Sequence, residues 1–256
     1  MAVIQTLKDR IKSYEELSDY KLLPKVPVVI VLNGRSFRKV SSLLPKPFGG
    51  AFTELMVATC IKLAQEIDGT AFIYSFNDEI VIIARNDRSI DTNCWYDNRI
   101  QKVASAAASI ATLEFNRVAK SNGIPLFGDP IFTSSVFAVP TITEAINVLL
   151  SKQQEAFYIS LYNACFYELL KKHTVDTVRQ TLSEKTAQAK ADILLEKCGI
   201  DFDLYDLQFR RGFACYRQPQ GILTERGEEI QNKLLVNMEL PLFVKQPEFL
   251  SGILKK

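Results

Sequence analysis

The sequence predicts an α/β (α+β) chain of the ferredoxin-like, split βαβ plan. Three observations carry this. Residues 28–32 form an unbroken β-branched run, Val-Val-Ile-Val-Leu, the pattern of a strand covered on both faces. Residues 71–75 and 80–84 are two short apolar runs separated by Phe76-Asn77-Asp78-Glu79, the length of a tight hairpin link. Helix-period segments follow the first run (51–67) and the third (97–120).

Taken in order, residues 3–20 place Ile4, Leu7, Ile11, Tyr14 and Leu17 at helical spacing, with Pro24 and Pro27 beyond. The first strand runs straight into Asn33-Gly34. The helix over 51–67 is stopped by Gly69. The hairpin and the Ala-rich helix over 97–120 come next, then a strand over 130–138. Thr141 is the N-cap of a helix through about residue 150. Further helices are expected over 153–172, 175–183 and 185–198, and one more strand over 212–217. The expected organisation is a catalytic core over 1–140, with the N-terminal helix, and a helix-rich half over 141–256 completing the same globular unit.

A length of 256 residues with 47% hydrophobic and 23% charged residues is enough for a real core without disulfide or metal staples. The net charge of +2 excludes a wholesale polyanion binder, so any nucleic-acid contact must come from local clusters of Lys and Arg. Five cysteines without a C-x-x-C pair or zinc-ligand spacing predict free thiols and a reducing compartment. No apolar run has membrane-span length, and the first residues lack a leader's apolar stretch, so a soluble cytoplasmic protein is expected.

Two places in this layout can bring oxygen ligands together: Asn33-Gly34 at the end of the first strand, and Asp78-Glu79 in the hairpin. Each alone is ordinary turn chemistry. In a split βαβ sheet the first strand lies beside the hairpin, so the two can meet. A hard cation such as Mg²⁺ shares its shell between a few carboxylates and substrate phosphates. Lys46 precedes a helix entrance where backbone N–H groups gather, and Arg38, Arg99 and Lys102 are further candidate phosphate cations. Each could equally be a solvated surface charge, and so could the basic cluster of Lys171, Lys172, Lys190, Arg210, Arg211 and Arg217.

These residues resemble the successive motifs of the histidine-tRNA guanylyltransferase family and its guanylyltransferase-like 3′-to-5′ RNA polymerases. The likeness runs through Leu32-Asn-Gly-Arg-Ser-Phe37, Lys46-Pro47, Tyr74-Ser-Phe-Asn-Asp-Glu79, Arg99-Ile-Gln-Lys102, Lys152-Gln-Gln-Glu155, Leu161-Tyr-Asn163, Lys190-Ala-Asp-Ile-Leu194 and Phe209-Arg-Arg-Gly212. The order of the matches, over about residues 26–217, is more specific than any one of them.

The resemblance implies a polymerase palm, assembled as a homotetramer (a dimer of dimers). It implies addition of nucleotides to the 5′ end of tRNA or other RNA. A nucleoside triphosphate, GTP or ATP, activates the RNA 5′ phosphate, and the 3′-hydroxyl of an incoming nucleotide then attacks the activated end. Two Mg²⁺ ions are implied, on Asn33, Gly34 and Asp78, with Glu79 beside them. Gly34, Arg35, Ser36, Phe37, Arg38, Lys46, Asn77, Arg99 and Lys102 fall on nucleotide positions. Lys152, Gln153, Asn163, Lys190, Arg210 and Arg211 fall on RNA or second-nucleotide positions.

The chain departs from the family where the first-strand metal Asp is Asn33, where Asn77 replaces a Ser, and where Arg38 replaces a His. Loss of a carboxylate charge beside a dication is a deficit of several kcal/mol even at an effective dielectric of about 20. Two other readings therefore stay open: a catalytically silent nucleotide- or RNA-binding relative, and another palm-type nucleotide cyclase.

Overall fold

The computed structural model describes residues 6–89, 91–224 and 227–255, with no side-chain description over 221–230. Helix α1 (Leu7–Leu17) leads to β1 (Pro27–Arg35), a short α2 (Phe37–Val40), α3 (Gly50–Glu66), β2 (Thr70–Phe76), β3 (Glu79–Arg85), α4 (Ile100–Ser121) and β4 (Ile131–Ala138). Then come α5 (Ile142–Leu170), α6 (Val175–Leu182), α7 (Ala187–Cys198), α8 (Leu207–Arg211), β5 (Phe213–Thr224), β6 (Gly227–Asn237) and α9 (Pro247–Leu254). The sheet order is β4-β1-β3-β2-β5-β6, with every pairing antiparallel. Its first four strands have the expected ferredoxin-like order.

The unbroken apolar run of β1 is explained by cover on both faces. Val28, Ile30 and Leu32 pack with α3 and α4, while Val29 and Val31 pack with the first half of α5, Phe243 and α9. A third cluster joins the second half of α5 to α6, α7 and Phe202.

Three features differ from the sequence reading. The helices expected over 141–150 and 153–172 are one 29-residue helix, α5, because the polar stretch between them contains no Gly or Pro to break it. The strand expected over 212–217 continues to Thr224 and pairs with β6, so the C-terminal half also supplies two strands to the sheet. Helix α9, with Pro247 in its first turn, caps the α5 face of the sheet.

Candidate active site

The β2–β3 hairpin closes through Asn77 and Asp78. Asn77 takes φ +50°, a left-handed conformation that asparagine tolerates better than most residues. Strand register sets Asn33 opposite Glu79, and the Gly34 N–H donates to the Asp78 carbonyl at 2.9 Å. The end of β1 and the hairpin tip are thus bonded together, as the sequence layout requires. Gly34 is needed at this junction. A Cβ there would lie 2.4 Å from Cδ2 of Phe37, whose ring is held by Phe52, Phe115 and Phe132.

Asp78 lines a cavity of about 240 Å³. The other walls are the loop after α2 (Ser41, Lys46, Phe48), the start of α3 (Phe52, Thr53), α5 (Asn163, Tyr167) and α8 (Gln208, Phe209). Asp78 is half-buried, and burial, with Glu79 adding repulsion, pushes its carboxyl above the usual aspartate range. It has no ion-pair partner among the described residues. Lys46 donates to Ser41 Oγ at 2.9 Å and sits 5.8 Å from the Tyr167 ring centroid, and burial lowers its pKa. Phe48 stacks on Phe209 at 5.0 Å with the planes 7° apart. The cavity therefore combines a carboxylate and two cations without ion-pair partners among the described residues (Asp78, Lys46 and Arg38), the amides of Asn77, Asn163 and Gln208, and a fixed aromatic wall.

Glu79 faces the other way. By strand alternation Asn33 and Glu79 share the α5 face with Val31 and Val81. Glu79 pairs there with Lys152 on α5 at 2.9 Å, and Lys152 also meets Glu155 at 3.0 Å. Burial alone would lower the Lys152 pKa, but its two carboxylate partners outweigh that and raise it.

The structure brings Phe37, Arg38, Lys46, Asn77, Asp78 and Asn163 together around this cavity. Phe37 does so as a core ring, 3% exposed. Arg35 ends β1 and Ser36 follows it, both exposed, Ser36 at φ +59°. Arg99 and Lys102 are elsewhere: Arg99 N-caps α4 and pairs with Asp19 at 3.3 Å, and Lys102 is exposed one turn on.

Several residues expected at RNA or second-nucleotide positions hold bonds within the fold. Gln153 is 5% exposed, its amide donating to Pro241 O at 2.9 Å and accepting from Phe243 N at 2.7 Å. Arg210 pairs with Asp203 at 2.5 Å and donates to Tyr205 O, and Arg211 donates to Leu240 O at 3.0 Å. Lys190 donates to Lys185 O at 2.8 Å. Arg217 lies on β5, away from the helices it was grouped with. Sequence reasoning missed Phe48, Tyr167 and Gln208 as cavity walls. Tyr167 stands four residues after Asn163 on one helix, a spacing that could have revealed it.

Comparisons with known proteins agree with this geometry. Residues 8–140 match the family model for Thg1, tRNAHis guanylyltransferase, and residues 147–239 match that for the Thg1 C-terminal domain. The chain is 25% identical over 235 residues to tRNA(His) guanylyltransferase 2 of Arabidopsis thaliana, covering 86% of this chain and 41% of that protein. It thus spans about two fifths of that relative's length. A bacterial tRNA(HIS) guanylyltransferase (Thg1)-like protein in complex with ATP superposes with a TM-score of 0.82 at 24% identity, covering 97% of this chain and 99% of that one. One in complex with GTP gives 0.78 at 24% identity, over 98% and 99%. With both family models matched in order across the sheet and the helical half, the chain belongs to the Thg1 tRNAHis guanylyltransferase family.

Proposed function

We propose that the chain is a nucleotidyltransferase that adds nucleotides to the 5′ end of tRNA or another RNA in the 3′-to-5′ direction, with a nucleoside triphosphate in the Asp78 cavity. The observation that carries this is the unpaired, half-buried Asp78 carboxylate sharing one cavity with Lys46 and Arg38. A carboxylate and phosphate-seeking cations on one cavity suit a metal-assisted phosphoryl transfer. The related structures with ATP and GTP support a purine nucleotide. At about 240 Å³ the cavity holds part of a nucleotide and leaves the rest facing solvent or RNA.

Mg²⁺ fits the donors at hand. Among the described residues no cluster of three or more His, Cys, Asp or Glu could hold a metal alone. Mg²⁺ does not need one, since it takes one or two carboxylates and completes its shell with water and phosphate. Asp78 would supply the carboxylate and Gly34, bonded to the hairpin through its N–H, a carbonyl, whereas the Asn33 side chain lies with Glu79 on the α5 face. When bound, the ion would neutralise charge developing on the transferring phosphate. The chain's own residues bind and orient: Lys46 and Arg38 hold triphosphate oxygens, and the Phe48–Phe209 stack offers a face to the base. The Glu79–Lys152 pair keeps Glu79 from adding its charge freely to the site.

Asn33 favours a second reading, a relative that binds nucleotide without turning it over. The two separate on one comparison: labelled nucleotide incorporation at the 5′ end of a truncated tRNA by the chain, by Asp78→Ala and by Asn33→Asp. The proposal expects incorporation that Asp78→Ala lowers at least about a hundredfold and Asn33→Asp raises. No incorporation by the chain or by Asn33→Asp would reject it. The homotetramer is proposed with it, checked by light scattering.

A further inference from the structure

Helix α1 turns its apolar side away from the rest of the described chain. Leu7, Ile11 and Tyr14, spaced four and three residues apart, line one side of it and are 66%, 47% and 60% exposed. Ser13, on the other side, is the one residue of the helix that is not exposed. An isolated helix of 11 residues is marginal in water, and a helix this short draws most of its stability from packing its apolar face. The capping box of Thr6 and Asp9 secures only the first turn.

The charges of α1 suit a second copy of itself. Lys8 and Arg10 stand near its N-terminus and Glu15 and Glu16 near its C-terminus, the reverse of what the helix dipole favours. Among the described residues Lys8, Arg10 and Glu15 have no ion-pair partner, and Lys12 reaches only Glu16, at 3.6 Å. Lys8 and Glu15 are seven residues apart, so both flank the apolar stripe on the same side. In an antiparallel pair of helices the same flank of each meets. Lys8 would then face the partner's Glu15, and Glu15 the partner's Lys8. A two-fold axis makes both contacts at once. Each basic end would also lie beside the negative end of the other helix dipole. Residues 8–19 hold three cations and four carboxylates, so the helix has no basic excess to attract an anionic lipid surface or RNA.

We propose that the apolar face of α1 docks on the same face of a second copy of this chain, the two helices antiparallel about a two-fold axis. The pairing does not rest on the nucleotide reading, and within the proposed homotetramer it names one contact.

Light scattering and sedimentation of the full chain over a concentration series test this. Ile11→Asp puts a charge in the middle of the stripe and is expected to halve the mass of the assembly, or to weaken self-association about tenfold or more. Lys8→Glu alone sets like charges together across the pair and is expected to weaken it by a smaller factor. Adding Glu15→Lys is expected to restore it. These side chains are exposed in the single chain, so its fold is expected to survive each substitution, with the melting temperature as the check. A tetramer left intact by Ile11→Asp rejects the pairing and keeps the tetramer. A dimer dissociated by Ile11→Asp keeps the pairing and rejects the tetramer. A chain monomeric at every concentration rejects both. Failure of Glu15→Lys to restore what Lys8→Glu lost overturns the antiparallel arrangement. Loss of binding to anionic vesicles or to RNA on Ile11→Asp, with the mass unchanged, gives the face to that partner and overturns the proposal.

Discussion

Asp78 carries a physical tension that a single substitution exposes. Its raised pKa means that the folded chain keeps the proton to a higher pH than the unfolded chain does. The stability contributed by this group is complete below the unfolded-state pKa and is lost as pH rises through the folded one. Asp78→Asn keeps the shape and removes the charge. It is expected to raise the melting temperature at pH 7 without Mg²⁺ and to make little difference near about pH 3, where both states are protonated. Thermal melts of both proteins at the two pH values check this, and an equal effect at both would show that the carboxylate is not strained by burial. The same substitution removes the carboxylate the proposed chemistry needs, a trade of stability against function common at active sites.

The elements around the site depend on fits that few side chains satisfy. Gly34 lies under Phe37, and Phe37 is wedged among three other rings. Gly34→Ala is expected to cost about 1–3 kcal/mol through overpacking and to weaken nucleotide binding by moving the β1 end from the hairpin. Denaturant unfolding and a nucleotide titration read the two effects. Gln153 ties α5 to the 240–243 turn through both ends of its amide. Gln153→Ala leaves Pro241 O and Phe243 N without that partner and is expected to cost about 1–3 kcal/mol. For a chain this size that is on the order of 2–4 °C in melting temperature per kcal/mol. Nucleotide affinity should stay unchanged, whereas an RNA-contacting Gln153 would lower RNA affinity with little loss of stability.

Across the whole molecule, the α5 face of the sheet belongs to residues far along the chain. Val29, Val31, Phe72, Tyr74, Val81 and Ile83 are covered by α5, α9, Leu240 and Phe243, all C-terminal to residue 140. A fragment of residues 1–140 would expose that face as a contiguous apolar patch. It is expected to aggregate or to bind a hydrophobic dye strongly, while the full chain unfolds in a single cooperative transition. A monodisperse fragment with a cooperative melt would show that the N-terminal part is stable alone. Among the described residues no helix is long and apolar enough to cross a membrane.

The sequence by itself determined the parts built from local signals. The β-branched run of β1, the hairpin around Asn77-Asp78, the Thr141 cap and the helical period of α3 and α4 are properties of neighbouring residues. Residue spacing states them without a fold. The ordered motifs also located the junction of Asn33-Gly34 with Asp78. Tertiary structure alone decided the rest. Strand β6 pairs through a polar run, Glu229, Gln231, Asn232 and Lys233, that shows little apolar alternation, and only pairing with β5 makes it a strand. Arg99 and Lys102 match the family pattern, yet they lie away from the Asp78 cavity. Gln153, Arg210 and Arg211 read as free polar groups, and their backbone partners come from segments that only folding brings near. Charge and spacing are written in the chain, but which charges remain free for a ligand depends on what the folded neighbours have already bonded.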